Sequence, residues 1–138
     1  MDLQRLENLR YLKKAVERCK RQIDELCASI GSLSSVKLGG VPGGGSMLSV
    51  QERTVERLEK LRGIYAYRLE KYISEKVEVE EFINGIDDVL IQQIFILRFV
   101  EGYKWFRVAM EIGGGNTGDG VRMACKRYLE EINTHVGE

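Results

Sequence analysis

Residues 86–131 read IDDVLIQQIFILRFVEGYKWFRVAMEIGGGNTGDGVRMACKRYLEE, and the placement of apolar residues and glycines in this stretch decides the fold. Ile94, Leu97, Trp105, Val108, Ala109, Ile112, Val121, Tyr128 and Leu129 recur at helical spacing in three segments. The breaks between segments fall at Gly102 and Gly113, where a residue without a Cβ turns the chain at little steric cost. The first segment, Asp87 to Val100, is apolar almost all round and is expected to be a buried core helix. The second carries Trp105, Val108, Ala109 and Ile112 on one side, with Ala109 small enough for a close helix crossing. Before the third, Asn116 or Thr117 suits an N-cap and Asp119 suits the positive first turn. Helix, short turn and helix in this order are the pattern of a helix-turn-helix.

Upstream, Leu9, Leu12, Val16, Cys19, Ile23, Leu26 and Ile30 step by three and four alternately, the apolar seam of a coiled coil. A second long segment begins near Val50 and passes through Leu58, Leu61, Tyr65, Leu69, Tyr72, Val79 and Ile83. The two are expected to fold as a long antiparallel hairpin over residues 1–83, followed by a separate helix-turn-helix domain over 84–138. Asn84 and Gly85 mark the break, with Asp87 and Asp88 opening the next helix. Between the long helices lies GSLSSVKLGGVPGGGSMLS, residues 31–49, whose six glycines, five serines and one proline predict a flexible connector. It lacks the lysine of a phosphate-binding loop and is flanked by helices, so that chemistry is excluded. The fold class expected is therefore all-α.

Composition narrows the function. Apolar residues make up 43% of the 138 positions, enough for a packed core. No run of about 18 apolar residues could span a bilayer, and MDLQRLENLRYLKK lacks the apolar centre of a secretory signal, so the cytoplasm is the expected location. Cys19, Cys27 and Cys125 are odd in number and widely spaced, and they read as reduced thiols, with no metal site and no cofactor expected. No nucleophile has a base and orienting group at a recognisable spacing, and His135 stands alone, so no catalytic residue and no enzyme are expected. GGGNTG at 113–118 matches the letters of a dinucleotide fingerprint but follows a helix instead of a strand.

A net charge of zero argues against non-specific coating of nucleic acid, which rests on neutralising many phosphates. The distribution is uneven. Between Lys104 and Tyr128 stand Lys104, Arg107, Arg122, Lys126 and Arg127 against only Glu111 and Asp119. On the last helix Val121, Ala124, Cys125, Tyr128 and Ile132 are expected to face inward, leaving Asp119, Arg122, Met123 and Lys126 outward. Arg122 could bond guanine or clamp a phosphate, Lys126 and Arg127 suit phosphates, and Asn116 and Thr117 with the amides of the helix start could hold one more. Lys104, Arg107, Asn116, Thr117, Arg122, Met123, Lys126 and Arg127 are therefore the candidate DNA-binding residues.

Residues 86–131, preceded by the helical hairpin with its glycine-rich connector, resemble small phage- and prophage-encoded regulators whose carboxyl half is similar to the promoter-reading region 4 of bacterial sigma factors. Ala109 and Gly113 fit that pattern, whereas Val121 comes eight residues after Gly113 where about six is usual, lengthening the turn. The resemblance implies transcriptional control through duplex DNA, with RNA polymerase as a further partner. The hairpin would orient the DNA-binding part or form a homodimer reading two half-sites. Two other classes share this outline: a small DNA-packaging subunit of the terminase kind, and a coiled-coil module that binds only protein.

Overall fold

The computed structural model describes residues 1–36 and 44–136. Five helices follow one another: α1 (Leu3–Val36), α2 (Gly44–Asn84), α3 (Val89–Phe95) continued by a π-helical turn over Ile96–Val100, α4 (Trp105–Ile112) and α5 (Gly118–Val136). Among the described residues there is no strand, and the fold is all-α. Among the described residues, no helix is long and apolar enough to cross a membrane.

The chain divides into two compact units, Met1–Lys13 with Tyr72–Glu138, and Lys14–Lys71. The first therefore includes the start of α1 and the end of α2, where a boundary at residue 83 was expected. Burial gives the reason. Leu6 and Leu9 of α1 and Val79 and Ile83 of α2 share one core with Ile86, Ile94, Phe95, Phe99, Val108, Ala109, Val121, Cys125 and Leu129. Phe95 is its centre, with ring centroids 6.0 Å from Phe82, 5.5 Å from Phe99 and 5.7 Å from Tyr128. Burial pushes the Cys125 thiol up to about 12, so it stays protonated and inert at neutral pH.

Local chemistry sets the helix ends. Asp2 caps α1 by accepting from the Arg5 amide at 2.8 Å. The third helix begins at Val89, two residues later than Asp87, because the Asp88 carboxylate accepts from the amides of Leu90 (3.0 Å) and Ile91 (3.2 Å) and so becomes the N-cap. At its far end the Glu101 amide reaches back to the Ile96 carbonyl at 2.9 Å, the wide π spacing. Gly102, at φ 81°, then turns the chain, and Lys13 Nζ donates to the carbonyls of Val100 and Glu101 at 3.3 and 3.2 Å. These last carbonyls would otherwise lack a partner.

One buried ionic cluster ties α1 to the π turn. Arg98 donates to both Glu7 oxygens, from Nη2 at 2.9 and 3.2 Å and from Nε at 3.2 Å, and to the Tyr103 carbonyl at 3.0 Å. Its guanidinium also lies over the Trp105 ring, 4.3 Å from the centroid. Burial lowers the Arg98 pKa, a shift that Glu7 opposes. Arg10 donates to the other side of the same carboxylate at 2.9 Å. Nearby, Arg5 pairs with Glu75 (3.1 Å) and Glu78 of α2.

In the second unit, Val16 and Cys19 of α1 and Leu58 of α2 are buried, and Cys19 Sγ lies 3.8 Å from the Leu61 carbonyl. The connector expected over 31–49 is narrower than its composition suggested, since α1 continues to Val36 and α2 starts at Gly44. Glycine and serine cost a helix only about 0.5–1 kcal/mol each, so adjoining turns can continue through them. The rest of that stretch lies outside the described residues.

Candidate nucleic-acid interface

The α4–α5 pair is held by packing and by its turn. Val108 and Ala109 of α4 and Val121, Cys125 and Leu129 of α5 are buried in the core, with Trp105, Ile112 and Tyr128 packed against it. The core side of α5 thus carries Leu129 beside the expected Val121, Cys125 and Tyr128, while the expected Ala124 and Ile132 are half-buried. The turn spans Gly113 to Thr117, and Gly113, Gly114 and Gly115 all take positive φ (72°, 68° and 75°), a run that L side chains rarely adopt. This three-glycine path is what the lengthened turn consists of.

Both residues expected at the start of the last helix are engaged with the backbone. Thr117 is the cap: its Oγ1 accepts from the Gly120 amide at 3.0 Å. Asn116 folds back and donates through Nδ2 to the Gly113 carbonyl at 2.7 Å, fixing the turn. As placed, they set the path of the chain into α5.

The start of α5 lies against the start of α4. A Cβ built on Gly118 would sit 3.2 Å from the Phe106 nitrogen and 3.3 Å from the Trp105 carbonyl carbon, both backbone atoms. Lys104, which precedes α4, and Thr117, which caps α5, therefore share one corner of the unit. Gly118→Val is expected to lose about 1–3 kcal/mol through overpacking at this contact. Urea denaturation measures it, and an unchanged midpoint would show that the two helix starts do not touch.

The candidate cations divide by environment. Arg122 and Lys126 are exposed one turn apart on α5, with Arg122 Nε 3.7 Å from Asp119 Oδ1. Arg107 is exposed, and its guanidinium stacks over Tyr103, Cζ 3.7 Å from the ring centroid. Lys104 is exposed and has no capping bond of its own. Met123 is half-buried, less outward than its spacing suggested. Arg127 belongs to another surface, lining a shallow depression with Glu130, Glu131, Thr134 and His135.

Sequence reasoning passed over two residues on this surface. Phe106 and Met110, one turn apart on α4, are 73% and 66% exposed. Their outward position was legible in the helical period, since Trp105, Val108, Ala109 and Ile112 occupy the other side. No group of three or more His, Cys, Asp or Glu side chains among the described residues could hold a metal ion. No protein-family model, no curated protein and no solved structure matches the chain.

Proposed function

We infer that the chain is a phage-type transcription regulator that binds duplex DNA with α4, the glycine turn and α5 acting as a helix-turn-helix. The observation that carries the reading is the exposed pair Arg122 and Lys126 on α5, a helix whose opposite face is locked into the core and whose start is packed on α4. A rigid helix with cations on its free face can enter a major groove, place an arginine against guanine and hold flanking phosphates. Lys104 and Arg107 would contact the backbone beside it. In this reading α1 and α2 form an antiparallel hairpin that supports self-association, the protein works in the cytoplasm, and RNA polymerase is a further partner. The cations are few, so affinity should be modest and the salt dependence shallow.

Fluorescence anisotropy with a duplex selected by the protein from a random-sequence pool tests this. Arg122→Ala/Lys126→Ala is expected to weaken binding and to lower the slope of log affinity against log salt by about two, one for each cation. A wild-type chain that retains no duplex at low salt sinks the reading. The exposure of Phe106 and Met110 favours a second one, a module that binds protein through the same corner.

A further inference from the structure

In the second unit, α1 and α2 enclose a groove of about 530 Å³ lined by Lys14, Ala15, Arg18, Cys19, Gln22, Leu61, Ile64 and Arg68. Its charged lining residues, Lys14, Arg18 and Arg68, are all basic, and Ile64, 43% exposed, is an apolar part of the lining. Elsewhere on the same unit, Glu52, Val55, Glu56 and Glu59 follow one face of α2 at spacings of three and four, with Val55 45% exposed among the three carboxylates. The two surfaces are opposite in charge, three cations around aliphatic side chains in the groove and three carboxylates around Val55 on the face.

Among the described residues, no cation or carboxylate of this unit forms an ion pair. Like charges stand one turn apart at Lys14 with Arg18 and Glu52 with Glu56, and the opposite charges within a turn of them, such as Glu17 and Lys60, form no ion pair with them.

We propose that the chain self-associates by seating the Glu52–Val55–Glu56–Glu59 face of one copy in the Lys14–Arg18–Arg68 groove of another. Three carboxylates meet three cations, and Val55 meets Ile64 where water is excluded. A nucleic-acid backbone would satisfy the groove but would leave the acidic face and both exposed aliphatic side chains unexplained. A second copy accounts for all of them. Because groove and face are different surfaces, the contact is head-to-tail unless two such contacts close a pair reciprocally. The proposal gives a surface to the self-association in the reading above, and its test contains no DNA, so either can fail alone.

Sedimentation velocity on the full chain, at low and high salt, decides the matter with two charge-reversed variants. One is Glu52→Lys/Glu56→Lys/Glu59→Lys and the other Lys14→Glu/Arg18→Glu/Arg68→Glu. Wild type is expected to associate at low salt and to weaken as salt rises. Each variant alone should associate at least about 100-fold more weakly, since every pair becomes a repulsion. An equimolar mixture should regain association, because each groove then meets a face of opposite sign; circular dichroism of both variants confirms that the helices persist. Wild type that stays monomeric, either variant that associates normally, or a mixture that fails to recover overturns the proposal. Monomeric wild type whose groove variant loses binding to heparin would instead assign the groove to a polyanion.

Discussion

Glu7→Ala is expected to remove about 3–5 kcal/mol of stability, the cost of leaving buried charge without its partner. Glu7 stands between two guanidiniums whose side chains are only 8% and 9% exposed, Arg10 on one side and Arg98 on the other. Arg10 already has a buried Nε with no hydrogen-bond partner, so its charge depends on this carboxylate. Removing Glu7 leaves two cations facing each other across the junction of α1 with the π turn. Urea denaturation should show the loss, with Arg98→Met destabilising less because Glu7 keeps Arg10. A change below about 1 kcal/mol would mean that water solvates both guanidiniums, as at an exposed pair. The effect reaches the proposed DNA-binding surface, since Arg98 also stacks on Trp105, the first residue of α4.

Phe95→Ala is expected to cost about 3–5 kcal/mol by opening a cavity where three other rings converge. Phe95 is fully buried and touches Phe82 of α2, Phe99 of the π turn and Tyr128 of α5. Tilted and edge-to-face aromatic pairs each add about 0.5–1.5 kcal/mol beyond area burial, so truncation removes specific contacts as well as volume. Phe95→Leu keeps most of the volume and should lose less. Thermal unfolding followed by circular dichroism distinguishes the two, and equal losses would show that ring contacts contribute little.

Several features follow from residue type at a fixed spacing. Glycines at 102 and 113 end helices because a residue without a Cβ takes positive φ cheaply, and the structure breaks at both. Asn84 is the last residue of α2, and Asp88 caps α3 and Thr117 caps α5, each of these two through a local bond that a short side chain makes to its own neighbourhood. The inward face of α4 was fixed by its period, and so was the outward position of Arg122 and Lys126.

What tertiary structure decided involves partners far apart in the chain. Arg98 sits in a segment that reads as apolar almost all round, and nothing local tells that Glu7, 91 positions away, accepts its charge. The first turns of α1 and the last of α2 continue the seams of the long helices, yet Leu6, Leu9, Val79 and Ile83 are buried with α3 to α5. A heptad pattern states that a helix has an apolar side without stating what covers it. Asn116 likewise reads as an alternative N-cap to Thr117, whereas its side chain bonds back to the Gly113 carbonyl 2.7 Å away. Sequence alone determined the helices, their breaks and their charged faces, because these depend on neighbours within a turn or two. Only the tertiary structure decided which faces meet, because burial and ion pairing depend on residues that the chain brings together from a distance.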